Sequence, residues 1–156
     1  MGEIGVAVDA AGAVCAVRFE GPPPSRVGAA AGSLAAAVGQ LTDYLDGVRR
    51  DFALPLTVRG GTEFERAVWA QIAAIGYGET RTYGAIATAL GDAGAARAVG
   101  IACNHNPLPI VVPCHRVVGA GGKLVGFGGG LHRKRFLLEL EARVTIEATF
   151  GLNPTI

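Results

Sequence analysis

Asn106-Pro107-Leu108-Pro109-Ile110-Val111-Val112-Pro113-Cys114-His115-Arg116-Val117-Val118 is the stretch on which the reading of this chain turns. Its apolar, β-branched run predicts a buried strand ending at Pro113. A thiol, an imidazole and a guanidinium follow in succession, and apolar residues resume at once. Reactive groups held between two hydrophobic runs point to a site on a rigid element. The alternative is that Cys114 is a small core residue, as free cysteines commonly are.

Outward from this stretch, residues 80 to 135 carry seven bases (Arg81, Arg97, Arg116, Lys123, Arg133, Lys134, Arg135) against the single acid Asp92. That segment is net +6 within a chain of net +1, so the remainder carries −5. A basic region confined to one part of a chain fits a nucleic-acid partner, or else a scattered set of solvated charges. Half of the 156 residues are apolar and 17% are charged, ample for a folded core. Three cysteines, Cys15, Cys103 and Cys114, make no disulfide framework. With no apolar run of membrane-spanning length and no secretory pattern at the start, the expected location is the cytoplasm.

Residues 4 to 20 read as a β-hairpin turning at Asp9-Ala10-Ala11-Gly12, with Cys15 in the core. Gly21-Pro22-Pro23-Pro24-Ser25 breaks the pattern. Gly32 to Leu45 reads as a helix with Leu34, Val38, Leu41 and Leu45 on its apolar face, and Asp51 to Val58 as a further strand. Gly60-Gly61 marks a boundary between a small α/β scaffold (1–60) and a second unit (61–156). Thr62-Glu63-Phe64-Glu65 is a capping box opening a helix with Phe64, Val68, Ile72 and Ile75 on one face, stopping at Gly76. Thr82 caps a helix from Tyr83 to Leu90, and a third runs from about Gly94 to Cys103, compatible with a helix-turn-helix. Small residues on that third helix leave Arg97 as its only long charged reach, suited to DNA or to close helix packing. The glycine-dense Gly126-Phe127-Gly128-Gly129-Gly130 lacks the ending of a phosphate loop but can bring backbone amides against a flat ligand. A last helix is expected from Leu131 to about Glu141.

A nucleophilic Cys114 needs a base, and adjacent residues on an extended segment point apart. That favours a water relay to His115 over a direct pair, with the orienting carboxylate drawn from Glu139 or Glu141. Cys103, His105, Cys114 and His115 are metal-ligand types, but their spacing is not that of a zinc site, so no metal is expected.

Pro113-Cys114-His115-Arg116-Val117 resembles the active-site signature of the O6-alkylguanine-DNA alkyltransferases, also called methylated-DNA–protein-cysteine methyltransferases. Tyr83, Ala95-Ala96-Arg97-Ala98-Val99-Gly100, Asn106-Pro107 and Gly129-Gly130-Leu131 through Leu137-Leu138 agree in order, from about Phe64 to Glu141. The resemblance implies a ribonuclease H-like N-terminal domain of small antiparallel sheet plus helix. After it would come a mostly α domain with a winged-helix-like helix-turn-helix. It implies stoichiometric, irreversible transfer of an alkyl group from O6-alkylguanine in double-stranded DNA to Cys114, without cofactor, by a monomer with no obligate protein partner and no membrane. O4-alkylthymine stays open as a second substrate.

Position by position, the resemblance makes His115 the base through a water, Glu141 its orienting acid and Asn106 the brace of the turn. Tyr83 would rotate the nucleotide's phosphate and assist the leaving guanine. Arg97 would fill the gap left by the flipped base, with Ala95, Ala96, Gly100 and Arg116 against DNA. Val117, Phe127 and Gly128 would line the substrate pocket. Phe127 and Gly128 depart from the Tyr and Ser or Ala of many members, removing a hydroxyl. The rivals are an alkyltransferase-like protein that binds lesions without reacting, and a helix-turn-helix regulator.

Overall fold

The computed structural model describes residues 1–20 and 31–151; the break expected at residues 21–25 lies outside them. β1 (Ile4–Val8) and β2 (Val14–Phe19) form the expected antiparallel hairpin, with Ile4 opposite Phe19 and Val6 opposite Val17. Asp9 builds its turn by accepting the amides of Ala11 and Ala13. Residues 51–58, expected as a strand, make only a single bridge, Leu56 to Val14.

α1 (Ala31–Leu45) turns only part of the expected face inward, Leu41 being buried and Leu45 packing against the same cluster. Leu34 and Val38 are exposed at 37% and 48%, whereas Ala37, Leu41 and Tyr44 are buried. These three keep helical spacing, and the small Ala37 allows α1 to lie close to β1.

α2 (Glu63–Ala73) opens on the expected capping box, Thr62 Oγ1 accepting from Glu65 N while Glu65 Oε1 accepts from Thr62 N. It buries Val68, Trp69 and Ile72 and ends at Ala73, before the Gly76 stop expected for it. After β3 (Arg81–Thr82), Thr82 caps α3 (Tyr83–Ala89), and a 3₁₀ turn (Ala93–Ala95) leads into α4 (Ala96–Asn104). The Trp69 indole donates to the Ala102 carbonyl at 2.8 Å, fixing α2 against α4. Ile72 and Ile86, fully buried between these helices, each contribute roughly 1.5–3 kcal/mol by burial.

The strand expected at 106–112 is instead a compact loop. Pro107, Pro109 and Pro113 remove three ladder donors, and Ile110 takes a positive φ of 74°. Cys114–Arg116 is a 3₁₀ turn, and β4 (Val117–Val118) pairs parallel with β3. α5 runs from Leu131 to Thr149, well beyond the expected end near Glu141.

One hydrophobic cluster joins Val8, Val14 and Val17 of the hairpin to Val68, Ile72, Ile86, Val99 and Cys114. A second joins Tyr44 of α1 to Ile110, Leu137 and Leu140. The core is therefore continuous across residue 60. No helix among the described residues is long and apolar enough to cross a membrane.

Candidate active site

The 3₁₀ turn carries Cys114, His115 and Arg116 into the interior, at 5%, 0% and 6% exposure. The loop before it is held by Asn106, whose Nδ2 donates to Val112 O at 2.8 Å and whose Oδ1 accepts from Leu108 N at 2.9 Å. This amide supplies the partners that a prolyl-rich loop cannot provide for itself.

Glu141, on α5, is the acid beside His115; Glu139 is exposed. His115 Nε2 lies 2.7 Å from Glu141 Oε2, and Arg116 donates Nε to Oε1 at 2.8 Å and Nη2 to Oε2 at 2.9 Å. Gly78 N and the Tyr44 hydroxyl donate to the same carboxylate. Burial alone would raise the Glu141 carboxyl, but the His115 and Arg116 hydrogen bonds outweigh it and bring its pKa down to about 2. Burial also pushes the His115 pKa down, against the pull of Glu141, favouring a neutral ring. With Nε2–H committed to the carboxylate, Nδ1 is the basic nitrogen. It has no hydrogen-bond partner among the described residues.

Arg116, expected against DNA, is instead turned inward. Its guanidinium is spent on Glu141 and on the Ile75 carbonyl, 2.7 Å from Nη1, beneath the Tyr77 ring. The early end of α2 leaves that carbonyl free to accept. Arg133 and Lys134, also counted in the basic segment, are buried too, which leaves Arg97, Lys123 and Arg135 as its exposed bases and Arg81 half-buried.

Tyr83, at the start of α3, donates its hydroxyl to Val125 O at 2.7 Å. Lys134 Nζ, from α5, donates to the Tyr83 hydroxyl at 3.1 Å and to the Val125 and Gly126 carbonyls at 3.3 and 3.2 Å. Its hydrogen bonds reach no carboxylate, and burial lowers its pKa while the thiols of Cys103 and Cys114 pull it back up. The Cys114 thiol is pushed up to about 11 by burial, against the lowering effects of Asn106 and Lys134. The resting sulfur is thus protonated at neutral pH, beside one buried cation.

Lys134 and Tyr44 were not among the residues expected to serve the site. Lys134 shares its buried face of α5 with Leu137 and Glu141, at spacings of three and seven. Tyr44 follows Ala37 and Leu41 at helical spacing on α1. Those periodicities were the available signals.

Ala96, Arg97 and Gly100 of α4, with Tyr83, Asn104 and Gly126, line a cavity of about 620 Å³. Arg97 is exposed there, and Ala95 ends the 3₁₀ turn just before α4. Val117 is wholly buried, Gly128 is exposed, and Phe127 packs against the cluster containing Cys114. No group of three or more metal-ligating side chains occurs among the described residues.

Residues 63–143 match the family model described as "6-O-methylguanine DNA methyltransferase, DNA binding domain". The methylated-DNA–protein-cysteine methyltransferase of Mycobacterium tuberculosis is 56% identical over 110 residues, 70% of this chain and 66% of that protein. The matched part therefore spans just under two thirds of that relative's length. The Mycobacterium leprae protein of the same name is 55% identical over 120 residues, 76% of this chain and 72% of that one. Among solved structures, M. tuberculosis OGT in complex with DNA superimposes with a TM-score of 0.76 at 40% identity, covering 90% of this chain and 93% of that one.

Proposed function

The chain belongs to the family of 6-O-methylguanine DNA methyltransferases, and on that premise we propose that it repairs DNA by moving an alkyl group from guanine O6 onto Cys114. The observation that carries this reading is a buried thiol followed, in the same 3₁₀ turn, by a buried imidazole whose Nε2 is tied to a carboxylate.

In this reading the Cys114 proton passes through a water to His115 Nδ1, and Glu141 stabilises the imidazolium that forms. Lys134 balances the charge of the thiolate. Sulfur attacks the alkyl carbon in line, the S–C bond forms as the C–O6 bond breaks, and guanine regains its proton with help from the Tyr83 hydroxyl. The product is a thioether, whose C–S bond water does not cleave, so each molecule turns over once, and the displacement as written calls for no cofactor.

An O6-alkyl group lies inside the duplex, so the nucleotide must swing out at a cost of a few kcal/mol. Arg97, exposed on the small-residue face of α4, fills the gap, with Ala95, Ala96 and Gly100 allowing close approach from the minor groove. Val117, Phe127 and Gly128 border the base. The duplex is recognised through its phosphates without regard to sequence. To the same proposal belong two units divided in sequence at residue 60 but sharing one core, a ribonuclease H-like first unit and a winged-helix-like second one. So do a monomeric state and a cytoplasmic location.

Incubation with duplex O6-methylguanine should add one methyl, 14 Da, at Cys114 by intact-protein and peptide mass spectrometry; an unmodified Cys114 overturns the reading. Arg97→Ala should slow repair in duplex far more than reaction with free O6-benzylguanine, and equal losses would remove Arg97 from the base-replacement role.

A further inference from the structure

Arg133 is a buried cation that the reaction above does not use. It sits in the first turn of α5, and its three nitrogens reach three separate parts of the chain. Nη1 donates to the Gly129 carbonyl at 2.8 Å, Nε to the Met1 carbonyl at 2.8 Å and Nη2 to Glu20 Oε1 at 3.0 Å. Its guanidinium carbon lies 5.3 Å from the centre of the Phe19 ring. Phe19 in turn meets Phe127 at 5.6 Å between ring centres, tilted by 56°. Gly129 is wedged so tightly between the two rings that an added Cβ would come within 2.6 Å of Phe19 and 2.9 Å of Phe127.

We infer that Arg133 and Phe19 form a clasp through which the N-terminal hairpin positions the Phe127–Gly129 wall of the substrate pocket. The inference rests on the function proposed above for what that wall does. The clasp itself is a matter of packing. A glycine-dense loop has large conformational freedom to lose, and Phe127 is its one side chain packed into the core. A planar guanidinium with several fixed donors restrains such backbone better than an ammonium could. Arg133 therefore acts through Gly129 and Phe127 as a positioning residue. It touches neither sulfur nor leaving group, so loosening it should weaken capture of the base and leave the chemical step alone.

The test uses the full chain with Arg133→Met, Arg133→Lys and Phe19→Leu. Native-state hydrogen exchange should show the amides of residues 127–131 exchanging at least tenfold faster in Arg133→Met and Phe19→Leu, with those of residues 96–104 unchanged. Unchanged exchange at 127–131 overturns the clasp, whether or not the protein transfers alkyl groups. Saturation kinetics with free O6-benzylguanine then read the consequence. The half-saturating concentration should rise at least fivefold, the limiting rate and its pH profile should hold within twofold, and Arg133→Lys should recover part of the loss. A fall in limiting rate at constant half-saturation overturns the positioning role. Phe19→Leu stays apolar while removing the ring, and carries both measurements should Arg133→Met fail to fold. Wild-type protein that exchanges as expected but never reacts would refute the proposed function and leave the clasp standing.

Discussion

Glu141→Gln is the sharpest probe of the site because one carboxylate receives five donors there: Tyr44, Gly78, two from Arg116, and His115. The amide keeps the shape but offers a single oxygen, and turns its NH₂ toward groups that also donate. Arg116 is left as a buried cation without a counter-charge, a change that costs about 3–5 kcal/mol. A second route gives a similar figure. A carboxyl brought from 4.5 down to about 2 contributes about 3 kcal/mol at neutral pH. Against a total stability of roughly 5–15 kcal/mol, that is a large share. Urea denaturation at pH 7 should show a midpoint lower by about 1.5 M, taking an m of about 2 kcal/mol per M. Because the folded pKa is depressed, the wild-type advantage is full above about pH 4.5 and fades as pH falls toward 2. The two proteins should converge over that window. Transfer from O6-benzylguanine should slow by a factor on the order of 10² as the imidazole loses its anchor. DNA affinity should hold, since Glu141 is 1% exposed. A loss below about 1 kcal/mol, or a difference that persists unchanged down to pH 2.5, would refute this account of the carboxylate.

Cys114 in the resting protein should react sluggishly with iodoacetamide at pH 7 and speed up about tenfold per pH unit toward its pKa of about 11; a plateau below pH 9 by mass spectrometry contradicts the burial argument. Lys134→Met should slow alkyl transfer at least tenfold, roughly the effect of one pKa unit, and move the rising limb of the pH–rate profile upward. An unshifted profile would remove Lys134 from thiolate stabilisation. Gly61→Ala should destabilise by about 1–3 kcal/mol, because Gly61 has φ +83° and its Cβ would fall 2.5 Å from the Trp69 ring. A melting temperature within a degree of wild type would show that the ring can yield.

Much of the second half was legible in the sequence because its signals are local. Thr62 with Glu65, and Thr82 before Tyr83, cap their helices as written, since a cap is formed by residues two or three apart. The alternation of residues 4–8 and 14–19 likewise sufficed for the hairpin. Local patterns failed where the partner is distant or the backbone irregular. The run before Pro113 has strand composition, yet three prolines and Asn106 close it into a loop. α1 is rotated so that Ala37 and Tyr44 join Leu41 inside in place of Leu34 and Val38, because Tyr44 packs toward Glu141, 97 positions away.

By itself, then, the sequence determined where the helices begin, that a thiol, an imidazole and a guanidinium follow one another between apolar runs, and which family pattern they follow; that the three share a 3₁₀ turn and not an extended segment came from the fold. Only the tertiary structure decided which charges are available outside. Arg116, Arg133 and Lys134 look like phosphate ligands in a linear count, but each is buried and bonded inside. The reason is physical. A charge can leave water only when partners from several elements converge on it, and such convergence has no local signature.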